Sequence, residues 1–427
     1  MDTVSFTRQN NLCISCGICA AVCPEKCITF QDFNGMRLPA INDSDCVHCG
    51  KCFNVCPGKG FNYRKYSGEL NLDFNFHDVK GIYTVKSKNE SILKNSVSGG
   101  AVTEIISGLI DGNSEYKSAF VVRGHDYADV PCSEIVSSTS ELYDSQKSRY
   151  VIISHQKCAE YIISHSEQKI ILVGTGCFVH GIMNLISMYG LKRENYFIIG
   201  LFCDRTMSMN VIRYFKNHRA LTSGLKELYF RTKDSGGWPG GMRLVGNDGN
   251  IIDLPNSERM KVKDYFQPER CLYCLDKLNI FADISAGDNY TGRNGGVEGS
   301  SSIIIRTDEG LRVWKELSDR FEVHESDRNE IITSQKLKKR QENYFFSKLK
   351  EKETGREING INFGGVKQNR NILKEYRKRI YALRLGSHYA ENPAAVIRDI
   401  RIKKAISAFK RLSKKMFKAI FRKGQSS

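Results

Sequence analysis

The sequence predicts an α+β module at the N-terminus, an α/β domain behind it and a basic, mostly helical C-terminal tail. Three observations predict this. Cysteines recur in a doubled, closely spaced run from Cys13 to Cys56. From Gly81 to about residue 355, apolar stretches of strand length alternate with stretches of helical period. Beyond that point an apolar helical period combines with a large excess of Lys and Arg.

The first run reads Cys13-x2-Cys16-x2-Cys19-x3-Cys23-Pro24, and Cys46-x2-Cys49-x2-Cys52-x3-Cys56-Pro57 repeats it 33 residues later. This is the bacterial ferredoxin spacing, in which three thiolates hold one [4Fe–4S] cube and the fourth ligates the other. The crossed rule gives Cys13, Cys16, Cys19 and Cys56 to one cluster and Cys46, Cys49, Cys52 and Cys23 to the second. A zinc or disulfide framework is the alternative, but eight thiolates in two copies of this spacing match cluster ligation. Gly17 and Gly50 follow the second Cys of each run, where a small residue lets backbone N–H groups approach sulfur. Residues 1–63 therefore read as a ferredoxin-like domain. Cys27 lies outside both quartets and reads as a small core residue.

A chain of 427 residues, 41% of them hydrophobic, has room for two or three domains with a sizeable core. Neither a leader sequence nor an apolar run of the ~20 residues needed to cross a bilayer is evident, and a reducing, cytoplasmic setting is expected from the cysteine usage. The net charge of +17 is uneven: residues 366–427 hold 18 Lys and Arg against 3 Asp and Glu, a net of +15, which leaves +2 for the rest.

Residues 64–80, with Gly68 and several Asn and Asp, read as a linker. Strands are expected at Gly81–Val85, Phe120–Val122, Ile152–Ile153, Lys169–Gly174 and Phe197–Phe202, with helices at Ala101–Ile110 and Val179–Tyr189. Residues 299–323 read as strand and helix, and 326–352 as a mostly polar helix. Strands alternating with helices argue for a parallel sheet, whose ligands sit beyond the carboxyl ends of the strands. Ser98-Gly99-Gly100 opens a helix, where Ser and Gly commonly serve as simple caps and where unpaired N–H groups can also receive phosphate. Cys177 and Cys203 fall at strand ends. Either alone reads as a packing residue, and Cys271-x2-Cys274 as a redox dithiol or half a metal site; together the four would supply the thiolates of a third cube, leaving Cys132 and Cys158 over.

These motifs resemble the beta-subunit family of coenzyme F420 hydrogenases and dehydrogenases, in its form with a fused double-cluster ferredoxin. The resemblance covers roughly residues 1–350. It rests on Ser98-Gly99-Gly100, Ser148-Arg149-Tyr150-Val151, Gly174-Thr175-Gly176-Cys177, Cys203, Ser235-Gly236-Gly237-Trp238-Pro239, Arg270-Cys271-Leu272-Tyr273-Cys274 and Asp283-Ile284-Ser285-Ala286-Gly287-Asp288. It implies an α/β flavoprotein domain over residues 81–355. FAD would have its phosphates near Ser98, Gly99 and Gly100 and its ring near Gly174 and Thr175, with Arg149, Tyr150, Gly287 and Asp288 as further cofactor-binding positions. Where the family usually has Gly-Thr-Pro-Cys-Gln, Gly176 and Phe178 imply a more flexible turn lacking an amide. Where it often has Cys-His-Gly, Asp204 and Arg205 follow Cys203.

The function implied is an iron–sulfur flavoprotein oxidoreductase passing electrons between ferredoxin-type clusters and FAD, for an organic substrate or an F420-like deazaflavin. A link to cell-surface polysaccharide synthesis follows by analogy with some members. The alternative is an electron-transfer subunit, without substrate chemistry of its own, that docks to a partner enzyme. A redox partner protein or a small-molecule electron donor is expected in either case. In the 356–427 tail, Ile402, Ala405, Ile406, Phe409, Leu412, Met416 and Ile420 recur at steps of three and four among Lys and Arg. That pattern suits an anionic membrane surface, which would place the protein peripherally at the inner face. The tail contains no recognisable nucleic-acid-binding module.

Overall fold

The structure, a computed structural model, describes residues 1–63, 74–218, 221, 223–234, 236–293, 295–360 and 371–423. Most of the expected linker, Ser235 of the Ser-Gly-Gly-Trp-Pro motif, and the side chains of Met416 and Ile420 lie outside what is described.

In the N-terminal module β1 (Ile28–Phe33) and β2 (Met36–Ile41) form a hairpin whose ends meet at Phe33↔Met36. Its two-residue turn, Asn34-Gly35, has both residues left-handed (φ 55° and 78°), as a type I′ turn needs. The short helices Ile18–Ala21 and Lys51–Val55 each start at a left-handed glycine, Gly17 and Gly50 (φ 78° and 73°). The repeat in sequence is thus a repeat in backbone geometry.

The large domain adds β3 (Gly81–Ser87), β4 (Ala119–Val122), β5 (Ser133–Val136), β6 (Ile170–Thr175), β7 (Tyr196–Leu201), β8 (Leu225–Thr232), β9 (Gly241–Gly246), β10 (Ile251–Leu254), β11 (Ile284–Asp288), β12 (Ser301–Ile305) and β13 (Phe321–Glu325). Eight of these form a sheet in the order β13-β3-β12-β11-β7-β6-β4-β5. Its centre, β11-β7-β6-β4, is parallel as the sequence suggests. The flanks are antiparallel, because β4 to β5 and β11 to β12 are joined by loops without a crossover helix. Ile152-Ile153 is not a strand; its neighbourhood makes only the isolated bridges Val151↔Met207 and Cys132↔Ser154. A separate antiparallel sheet, β10-β9-β8, has no counterpart among the expected elements.

Helices Ala101–Asp111 and Asp308–Leu317 cover one face of the large sheet with a core that includes Ile105, Leu109, Val313 and Trp314. Helices Gln156–Ser164 and Gly176–Tyr189 cover the other, and there Ile14, Ile18 and Val55 of the module join the same core. The expected helix over 326–352 is two, Arg328–Gln335 and Leu337–Thr354, broken where Lys336 turns left-handed (φ 52°).

The expected tail divides. Helix Ile372–Ser387 belongs to the body: it packs on helix Asn256–Phe266, so closely that a Cβ on Gly386 would lie 1.9 Å from the Tyr265 carbonyl oxygen. Helix Pro393–Lys423 starts in the body too. Val396 is buried, and Asp399 accepts a hydrogen bond from the Tyr265 hydroxyl (2.6 Å). From Arg401 to Ser413 every residue is exposed, with Ile402 at 49%, Ile406 at 50%, Phe409 at 73% and Leu412 at 60%. No helix among the described residues is long and apolar enough to cross a membrane.

Candidate metal centres

The eight cysteines of the module separate into two groups, with Cys56 crossing to the first run and Cys23 to the second. Burial pushes the Cys16 and Cys19 thiols well up, and the proximity of Cys56 and Cys13 adds to both. Burial also takes Cys13 up to about 12, with Cys56 contributing. Cys23, Cys46, Cys49 and Cys52 line one cavity, and Cys27 shares its wall. Each of these groups is a set of soft sulfur donors, and burial makes the ionisation of Cys13, Cys16, Cys19 and Cys52 costly without a cation to share the charge. Among the described residues no three His, Cys, Asp or Glu side chains converge on a point as ligands of a single ion; a cube differs in that its four thiolates bind four separate iron atoms. The donor sets therefore fit [4Fe–4S] clusters.

A third group forms at the carboxyl edge of the large sheet. Cys177 follows the end of β6, Cys203 the end of β7, and Cys271 and Cys274 lie in and just after the 3-10 turn Glu269–Leu272. Burial pushes Cys177 up to about 12, and Cys271 and Cys274 add to it. Cys203 is raised by burial and then by Cys177, Cys271 and Cys274. Asn343 holds the Cys-x2-Cys loop by donating to the carbonyls of Cys271 (3.2 Å) and Cys274 (2.8 Å).

Two arginines complete the surroundings. Burial alone would lower the pKa of Arg340, but Cys274, Asp204, Cys203 and Cys271 raise it overall. Its Nη1 donates to the Asp204 carbonyl (2.8 Å), while its buried Nε has no partner among the described residues. Arg270 interacts electrostatically with Cys177, donates from Nε to the Gly58 carbonyl of the module (3.1 Å), and leaves a buried Nη1 without a partner among the described residues. Orphaned donors of this kind, next to four thiols, are what cluster sulfurs would satisfy. Arg340 escaped the sequence reading because nothing local marks it; it reaches Cys203 across 137 residues of chain.

The two departures from the family pattern have local causes. Asp204 sits among Arg205, Arg340, Lys277 and Lys263, which hold its carboxyl well below the usual range against the opposing effect of burial. Gly176 is not a flexible turn: it opens the helix Gly176–Tyr189, and a Cβ there would lie 2.9 Å from the Asp276 carboxylate. Phe178 is buried and stacks on His155 at 4.1 Å.

The positions expected to bind FAD are engaged with the protein itself. The Ser98 hydroxyl is spent on the Ser300 carbonyl (2.6 Å), and a Cβ on Gly99 would strike the Val85 carbonyl oxygen at 2.3 Å and Ser301 N at 2.7 Å, so this glycine serves strand packing. Gly100 caps the helix with φ 76°. The first turn also holds a buried acid, Glu104, bonded to Ser87 (2.5 Å) and Arg320 (3.0 Å). Arg149 donates to the backbone carbonyls of Gly124, Asp144, Ser145, Gln146 and Lys147 and is not free to bind a ligand. Asp288 pairs with buried Arg231, whose Nη1 also reaches the Tyr150 hydroxyl (3.5 Å). Gly287 packs under Phe202, and Gly174 under Phe178. Thr175 lies against Cys177 (Oγ1 to Sγ 3.3 Å), at the third thiol group.

A dicluster ferredoxin module joined to an α/β domain with cysteines at its sheet edge defines an iron–sulfur protein of the electron-transfer class. Residues 12–59 match the 4Fe-4S dicluster domain, and residues 167–330 match the C-terminal domain of the coenzyme F420 hydrogenase/dehydrogenase beta subunit. The chain thus carries the C-terminal domain of that beta-subunit family behind a double-cluster module. The beta subunit of the coenzyme F420 hydrogenase of Methanosarcina barkeri is 25% identical over 245 residues, 54% of this chain and 76% of that one. One subunit of the F(420)H(2) dehydrogenase of Methanosarcina mazei is 23% identical over 327 residues, 74% of this chain and 85% of that one. A chain from a structure of the F420-reducing [NiFe] hydrogenase complex of Methanosarcina barkeri aligns with a TM-score of 0.49 and 21% identity, over 68% of this chain and 97% of its own.

Proposed function

We propose that this protein is the iron–sulfur electron-transfer subunit of an oxidoreductase related to the F420-linked enzymes, working with a redox partner that carries the substrate chemistry. One observation carries the reading: the thiol groups form a line that crosses the domain boundary. Cys52 of the second group shares a core cluster with Cys19 of the first, and Cys16 of the first shares another with Cys177 of the third. Three clusters held by Cys23/46/49/52, Cys13/16/19/56 and Cys177/203/271/274 would each supply single-electron transfer when bound. The chain's own residues bury or half-bury the thiols and bring Arg37, Arg270 and Arg340 within electrostatic reach of them.

A flavin is the second reading, supported by the buried indole Nε1 of Trp238, which has no partner among the described residues and lies in the loops beside Asp288. An F420-like deazaflavin or another organic substrate would then react on this chain itself. Purification without oxygen, followed by iron and flavin quantification, separates the two readings. About twelve irons per chain without flavin supports the electron-transfer reading; one flavin per chain reduced by an added deazaflavin supports the enzyme; fewer than eight irons after reconstitution overturns both.

The setting proposed is the cytoplasm, with the exposed part of helix Pro393–Lys423 held at an anionic membrane surface.

A further inference from the structure

We infer that Cys27 is a reserve ligand of the second cluster, able to take the place of Cys23. The inference rests on the reading that Cys23, Cys46, Cys49 and Cys52 hold a [4Fe–4S] cluster, and it adds a fifth thiol that the ferredoxin spacing leaves out.

Cys27 Sγ lies 3.4 Å from Cys23 Sγ, and both line the cavity shared by Cys46, Cys49 and Cys52. The local backbone brings it there. Lys26 N donates to the Cys23 carbonyl (3.2 Å), and Lys26 is left-handed (φ 49°), so the chain folds back on itself after Pro24. The Cys27 carbonyl is then pinned by Asn42 N (2.9 Å), just ahead of the β1–β2 hairpin. Cys46 is also within interaction range of Cys27. Cys27 is the better protected of the two thiols, at 6% exposure, whereas Cys23 is only half-buried. A change of χ1 between staggered rotamers moves a cysteine sulfur by roughly 3 Å, the scale of the gap between the two sulfurs. The exchange therefore needs a side-chain rotation and no break in the hairpin.

The exchange balances without an electron. The iron–sulfur bond to Cys23 breaks, one to Cys27 forms, and the proton released by the Cys27 thiol is taken up by the Cys23 thiolate. A cluster built in this way survives loss or modification of its more exposed ligand.

The test uses the full-length protein purified without oxygen, read by iron per chain and by electron paramagnetic resonance of the reduced clusters. Alanine is used throughout, so that the new side chain cannot ligate. Cys23→Ala is expected to keep the iron content of the parent, with an altered signal from one cluster, and Cys27→Ala to keep it unaltered. The double variant Cys23→Ala/Cys27→Ala should lose about four irons, as should Cys49→Ala, whose place no spare thiol can fill. If Cys49→Ala loses no iron, the cluster assignment itself fails. If Cys23→Ala loses as much iron as the double variant, or fails to accumulate while Cys49→Ala does, the reserve role is overturned. A second measurement needs only Cys27→Ala: under dilute hydrogen peroxide it should lose four irons several-fold faster than the parent. Equal rates would overturn the inference as well.

Discussion

Replacing Arg340 with Met keeps the length of the side chain and removes its charge and its donors. Arg340 interacts electrostatically with Cys203, Cys271 and Cys274 at once, and its buried Nε has no acceptor among the described residues. Reduction adds negative charge to a cluster, so a fixed positive donor favours the reduced state, and its removal should lower the potential. A hydrogen bond involving a charged group is worth about 1.5–3 kcal/mol, which for a one-electron couple at about 59 mV per tenfold corresponds to a fall of about 65–130 mV. Asp204 keeps Arg205, Lys277 and Lys263 as partners, so the loop after β7 should stay in place and the iron content should not change. The assay is a potentiometric titration followed by electron paramagnetic resonance, comparing the third cluster with the two in the module. A third potential that stays within about 20 mV of the parent, at full iron content, would refute the assignment of Arg340 to that cluster.

Cys203→Ala should reduce iron from about twelve to about eight per chain and leave the two module signals intact; a parent value already near eight would show that the third group only packs. Full-length protein should sediment with anionic liposomes at low salt, and a version ending at Lys404 should not. The cut belongs there and not before Pro393, because Val396 and Asp399 hold the start of that helix to the body; equal sedimentation of the two would remove the tail as an anchor. Gly386→Ala forces a methyl group onto the Tyr265 carbonyl and should cost about 1–3 kcal/mol in chemical denaturation, with an unchanged midpoint counting against the packing described. Gly181→Val pushes Ile18 and Pro57 away from the helix that starts beside Cys177; it should slow electron passage from module to domain at constant iron content, as read by rapid-mixing reduction of the third cluster.

What could be read from sequence was whatever carries its signal locally. The module was legible because its ligands sit two and three residues apart, and that spacing has few other uses. The strand ends bearing Cys177 and Cys203 were legible because β6 and β7 are buried on both faces and so appear as unbroken apolar runs. The sheet β8-β9-β10 was missed because its strands carry Lys226, Glu227, Arg243 and Asp253 on an open face and lack a continuous apolar signal. The Ser98–Gly100 stretch is ambiguous for a different reason. A Ser-Gly-Gly before an apolar helix looks the same whether the glycine makes room for a phosphate or for a neighbouring strand, and the approach of Val85 and Ser301 to Gly99 is invisible in sequence. The acid that occupies that helix start, Glu104, is inconspicuous in sequence, since its partner Arg320 lies 216 residues away.

The contacts between module and domain explain why the thiol line can serve electron transfer. A carrier that shuttles would meet its partner through a small polar surface. Here the boundary is core: Ile14, Ile18 and Val55 pack with Val179, Ile182 and Leu172 in one cluster. The Cys16 carbonyl accepts from His155 N at 2.7 Å, and Phe61 N donates to the Ile358 carbonyl at 3.0 Å. The Phe61 ring stacks on His180 at 4.1 Å, and His180 is itself held by Asp276 at 2.9 Å, two residues beyond Cys274. Separating Cys16 from Cys177 would therefore mean exposing apolar core and breaking buried hydrogen bonds, not swinging a domain about a hinge. The order of the three thiol groups is as fixed as the fold, and what remains adjustable is potential, through cations such as Arg340 that the fold places beside the sulfur.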